Sequence, residues 1–184
     1  MDLPILSTGE LILRPMEERD TASLFRHFSD ENVTRFMDID VFTNISDAVQ
    51  MINYFKERLE RGEGMRWAIT LAGQDELIGT CGFHNCNKTH FKAEIGYDLQ
   101  PHYWGNGIMT AAVSAMLDYG YETLQYNRIE AFVDPINTSS SKLLTKLGFS
   151  YEGMLRDAFF EKGKFVDAEL YSRLRRDHTR ENIN

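Results

Sequence analysis

The residues whose types and spacing speak most directly of chemistry lie between Leu99 and Ile108. There the chain reads Gln-Pro-His-Tyr-Trp-Gly-Asn-Gly. A β-rich run, Lys92–Leu99, leads into Trp104-Gly105-Asn106-Gly107, and a helical run begins at once. Glycines at a strand-to-helix junction let main-chain N–H groups approach an anion with no Cβ in the way. The first helical turn adds unpaired N–H groups and about half a positive charge. Together these make a cradle for a phosphate. The spacing alone leaves other readings open. A tight turn without ligand uses the same residues. A nucleoside-triphosphate P-loop is excluded, because no Gly-Lys-Ser/Thr follows. A Rossmann unit shares the order strand, Gly-x-Gly, helix and a second strand ending at Asp134. Its third glycine position is Thr110 here, however, and a meander precedes the motif where such a domain would open with it.

The elements that must position this junction follow from periodicity. Glu10–Met16 alternates like a strand, and Pro15 with the acids after it ends it. Residues 17–28 carry Leu24, Phe25 and Phe28 at helical spacing. Ser46–Arg61 is a second helix, with Ser46 and Asp47 available as caps, a stripe of Val49, Ile52, Phe55 and Leu59, and Gly62 to stop it. Arg66–Leu71, Leu77–His84 and Lys92–Leu99 read as an antiparallel meander. The helix Ile108–Thr123 follows, then the strand Arg128–Asp134, the helix Asn137–Leu147, and a closing hairpin of Phe149–Phe160 and Phe165–Leu174. The expected fold is a single mixed α/β domain over residues 1–184.

The 184 residues suit one domain, with 42% apolar and 26% charged side chains. The net charge of −8 argues against a phosphate-tracking nucleic-acid surface and suits a cationic partner. Residues 17–63 carry eleven acids against six bases. Cys81 and Cys86, five apart, form no zinc pattern and are expected as one core and one surface thiol. The histidines show no ligand spacing, so no metal is expected. No signal peptide or membrane span is apparent, and the protein is expected in the cytoplasm.

Six segments, in order, resemble the GNAT acetyltransferases, and within them the Rim-type branch that includes ribosomal-protein N-terminal acetyltransferases. They are ELILRPMEERD, the Asn32–Phe36 stretch, AEIGYDL, YWGNGIMTAA, NTSSSKLLTKLGF and the closing EGMLRDAFF with FVDAELYSRL. The resemblance covers nearly the whole chain. It departs at His102, where the family's loop usually starts with Gln or Arg.

The resemblance implies a central, mostly antiparallel sheet flanked by helices, and transfer of acetyl from acetyl-CoA to a primary amine. Main-chain groups of Trp104, Gly105, Asn106, Gly107, Ile108, Met109 and Thr110 would hold the pyrophosphate. The pantetheine arm would lie along Tyr97, Asp98 and Leu99 like an added strand. Asn137 would contact the coenzyme through its side-chain amide, and Lys142 and Lys146 lie where the adenosine phosphate is expected. Glu94 is the first choice for general base, with a pKa raised beside a dry cleft, and Asp98 the second. Ser140 would donate to the leaving sulfur. The branch's hairpin glutamate falls at Phe159, with Glu161 two residues on, so that role does not carry over. The acceptor is expected to be a protein or peptide N-terminal amine, with a polyamine or aminoglycoside as the alternative; a non-catalytic acyl-CoA sensor also remains open. Exposed sheet edges make a homodimer plausible.

Overall fold

A computed structural model describes residues 2–181 as one eight-stranded sheet covered by helices on both faces. The strands are β1 (Leu6–Ser7), β2 (Leu11–Pro15), β3 (Met65–Leu71), β4 (Gly79–Asn87), β5 (Lys92–Leu99), β6 (Arg128–Val133), β7 (Ser150–Glu161) and β8 (Lys164–Leu174). The helices are α1 (Thr21–Phe28), α2 (Glu31–Thr34), α3 (Ile45–Arg61), α4 (Ile108–Glu122), α5 (Thr138–Lys146) and α6 (Arg175–Glu181). The strand order is β1-β2-β3-β4-β5-β6-β8-β7. Every pairing is antiparallel except β5 with β6. The antiparallel β2–β5 meander removes the Rossmann alternative, whose sheet would be parallel.

That parallel pair decides where the site lies. It holds only from Lys92↔Arg128 to Glu94↔Glu130, and the two strands then diverge. Side chains alternate along β5. Ile95 and Leu99 face the larger core, with Ala112, Val113 and Met116 of α4 and Leu144 of α5. Glu94, Gly96 and Asp98 face the other side, where Leu24 and Phe28 of α1 and Ala48 and Ile52 of α3 form a smaller core. The gap between β5 and β6 thus joins the two faces of the sheet.

Several local expectations are corrected. The α3 cap is Asn44, whose side chain accepts from Ser46 N–H, and Asp47 completes a capping box by accepting from Asn44 N–H. Val49 is 44% exposed, and Ala48 takes its place in the buried stripe of α3 beside the expected Ile52, with Phe55 and Leu59 partly buried against the cores. Cys81 and Cys86 both lie on β4, yet a register shift between His84 and Asn87 re-aims the strand, and Cys86 packs half-buried against the same core as Cys81. The short elements β1, α2 and α6 carry too few residues to show a period and were not expected from the pattern.

Candidate active site

A cleft of about 1230 Å³ fills the gap between β5 and β6 and opens on both faces of the sheet. One end is made of main chain. Gln100 N–H donates to Ile78 O on the β4 side. By alternation Leu99 and Tyr97 direct their N–H and C=O groups the other way, into the gap that β6 has left. The indole Nε1 of Trp104 confirms the direction, for it donates to Leu99 O at 2.7 Å. Beyond it, Gly105 and Gly107 hold φ of 78° and 76°, a conformation that disfavours a side chain. A Cβ at either would meet nothing within 4 Å, so the space over the turn is open. Gly107 is the N-cap of α4 and supplies no side-chain cap, and the first turn holds no acid. Gly107, Ile108, Met109 and Thr110 of that turn line the cleft, and the first N–H groups of a helix have no partner within it. A free strand edge running into an uncapped helix is a fit for an extended chain that ends in phosphates.

Across the gap, Tyr97 reaches Ser140 of α5, with OH and Oγ 2.6 Å apart. Asn137 caps α5 by accepting from Ser140 N–H at 3.2 Å. Its Oδ1 is therefore engaged in holding Ser140, and only its amide nitrogen is open to a ligand. Burial pushes the Tyr97 phenol up to about 12, partly offset by Ser140.

The other end is made of side chains. Glu94 is half-buried, within 3.3 Å of His84 Nε2 and accepting from Asn85 Nδ2 at 3.0 Å. Burial raises its pKa, but the bonds from His84 and Asn85 outweigh it and hold the carboxyl below its ordinary value. The expected upward shift is thus reversed, and Glu94 is a weak base. Asp98 is corrected more fundamentally. Its side chain is buried, accepting from Thr80 N–H and Oγ1 and pairing with Arg66 and with His27 Nε2 at 2.6 Å. Burial raises its pKa, yet Arg66 and His27 draw it down to about 2. Its main chain faces β4. Neither the carboxylate nor the backbone is available to a coenzyme or as a base. Gly96 allows this arrangement, because a Cβ there would sit 2.9 Å from Arg66 Nη1.

Three further carboxylates line the cleft, Asp38, Asp134 and Glu161, and no spacing in the sequence marks them as a set. Glu161 lines the cleft, its pKa raised by burial and by the nearby charges of Asp38 and Asp134. These residues come from three distant segments, so no motif could have joined them. The tip of the β7–β8 hairpin then closes on α2, where Lys162 Nζ donates to Thr34 O at 2.9 Å. Phe159, the position of the branch's hairpin glutamate, packs edge-on against Phe132. Lys146 lines the cleft mouth, whereas Lys142 is exposed outside it. Among the described residues no group of His, Cys, Asp and Glu is arranged to hold a metal, and no helix is long and apolar enough to cross a membrane.

Comparison with known proteins agrees with this geometry. The family model described as "Acetyltransferase (GNAT) domain" matches residues 10–150. The chain is 43% identical to N-acetyltransferase p20 of Bacillus licheniformis over 94% of this chain and 97% of that one. It is 28% identical to spermidine N(1)-acetyltransferase of Escherichia coli, over 88% of this chain and 84% of the relative. Among solved structures it is similar to RimL, the ribosomal L7/L12 alpha-N-protein acetyltransferase, in complex with coenzyme A. The TM-score is 0.82 at 21% identity, over 93% of this chain and 98% of that one.

Proposed function

Because the chain belongs to the GNAT acetyltransferases, we propose that it transfers acetyl from acetyl-CoA to the N-terminal amine of a peptide or protein. Acetyl-CoA, when bound, supplies the thioester that the amine attacks. The protein's part is to hold, orient and move protons. The outward N–H and C=O of Tyr97 and the N–H of Leu99, whose carbonyl Trp104 holds, pair with the pantetheine amides, and the N–H groups from Gly105 to Thr110 hold the pyrophosphate. A main-chain N–H on that same edge is placed to stabilise charge on the carbonyl oxygen. Ser140 donates to the sulfur as it leaves, and Glu94 accepts the proton that the amine gives up. Asn137 serves this site chiefly by fixing Ser140.

The observation that carries the choice of acceptor is the weakness of the base. A carboxylate held below its ordinary pKa by His84 and Asn85 is poorly suited to deprotonating an alkylammonium. An α-amino group titrates near 7.8 and a lysine-type amine near 10.4, so the latter needs about 3.5 kcal/mol more to become neutral at pH 7. An N-terminal amine arrives already partly neutral. The likeness to RimL supports the same class.

A second reading, a polyamine acceptor, is favoured by the carboxylates Asp38, Asp134 and Glu161 that line the cleft, and by the spermidine acetyltransferase relative. Thiol release from acetyl-CoA with N-terminal peptides, polyamines and aminoglycosides separates the two. Release with peptides alone supports the proposal, and release with polyamines alone replaces it. A homodimer is also proposed, through the open β7 edge with exposed Tyr151, Met154 and Phe160. Light scattering on the eluting protein would show two copies, and a monomer would remove it.

A further inference from the structure

We propose that Tyr97 is a positioning residue that works through Ser140: its phenol donates to Ser140 Oγ and so leaves the serine's own proton directed into the cleft. The inference rests on the reading of Ser140 as donor to the leaving sulfur. The 2.6 Å contact crosses the gap between two elements, β5 and α5, that flank the cleft, and both residues line it. A serine has one proton. If Ser140 spent it on Tyr97, none would remain for the sulfur. The phenol is kept protonated across the physiological range, since burial pushes it up to about 12. It can therefore stay a donor throughout turnover. Its ring packs against the main core, and Ser140 N–H is held by Asn137, so neither end of the pair is free to drift. A hydroxyl that accepts a hydrogen bond is also the stronger donor, because the two bonds polarise each other. The same residue directs its main chain into the gap, so one side chain and its own backbone would set the thioester and the donor in register.

The test is a double-mutant cycle on Tyr97→Phe and Ser140→Ala, with kcat read by thiol release and acetyl-CoA affinity by calorimetry. Tyr97→Phe removes one oxygen from a packed ring, and retained acetyl-CoA affinity shows that each variant has folded. Tyr97→Phe should lower kcat about 10-fold with acetyl-CoA affinity unchanged. Ser140→Ala should lower it about 100-fold, and the double variant should be no slower than Ser140→Ala alone. Losses that multiply in the double variant, a wild-type kcat for Tyr97→Phe, or a loss that appears only in acetyl-CoA affinity would each overturn the inference. Ser140→Ala judges the underlying reading by itself. A wild-type rate there would remove Ser140 as donor and the inference with it, whereas a slow Ser140→Ala beside an unaffected Tyr97→Phe would remove only the role of Tyr97.

Discussion

The two ends of the cleft are built on opposite principles. The end proposed for the coenzyme is main chain: a strand edge that β6 abandons after Glu94, two glycines in left-handed geometry, and a helix with no side-chain cap. Most of it comes from one short stretch, Tyr97, Leu99 and residues 104 to 110. The end proposed for the acceptor is side chain and charge. Glu94 and Asp98 of β5, Arg66 of β3, His84 of β4, His27 of α1, Glu161 of β7 and Asp134 after β6 meet there from distant parts of the chain, and one hydrogen bond from Lys162 to Thr34 joins the hairpin to α2. A binding partner that is the same in every turnover can be held by backbone alone. Discrimination among amines needs side chains, because only they differ in charge and shape.

The contrast can be broken at either end. The largest expected effect is on the charge cluster beneath the acceptor end. Asp98→Asn leaves Arg66 without its buried partner and should destabilise the fold by about 3–5 kcal/mol. The sign with pH is fixed by the depressed pKa. The wild-type carboxylate contributes fully above its unfolded value of about 4 and loses that contribution as pH falls towards about 2. Denaturant melts across that window should converge for the two proteins as pH falls, and parallel curves would count against the pairing.

Gly107→Trp comes next. It forces a side chain into a left-handed position and fills the open space over the turn, so acetyl-CoA affinity by calorimetry should fall at least about 100-fold, given the several main-chain hydrogen bonds it obstructs. Wild-type affinity would misplace the cradle. Glu94→Gln should lower kcat about 10-fold, a modest loss for a general base, with acetyl-CoA affinity unchanged. An unaltered kcat would remove Glu94 from proton transfer. Smallest is Lys162→Ala, which loses one hydrogen bond and should raise the acceptor KM about threefold. An equal change in acetyl-CoA affinity would mean that the two ends are not separable.

The same division explains what the sequence made legible. The bounds of Lys92–Leu99 and the onset of α4 at Ile108 are legible to the residue, because strand alternation and the double glycine are local signals. The coenzyme contacts proposed at Tyr97, Leu99 and Gly105 to Thr110 sit together along one edge for the same reason. Asp98 could not be separated from them by spacing. Which way a backbone group faces depends on the partner strand, and its carboxylate is claimed by His27, 71 residues away, and by Arg66. The direction of the Glu94 shift was likewise hidden, since it depends on His84 and Asn85 across a hairpin. The Asp38, Asp134 and Glu161 set depends on the closing hairpin folding back over the start of the chain.

The central claim is that the acceptor arrives with an amine neutral enough to need only a weak base. The most direct measurement is kcat/KM for an N-terminal peptide as a function of pH, in wild type. The account predicts a single rise with its midpoint near the α-amino value of about 7.8, set by the acceptor and unmoved in Glu94→Gln. No measurable turnover of the peptide, with an alkylamine run alongside it acetylated instead, would contradict it and make the cleft carboxylates Asp38, Asp134 and Glu161 the acceptor's partners.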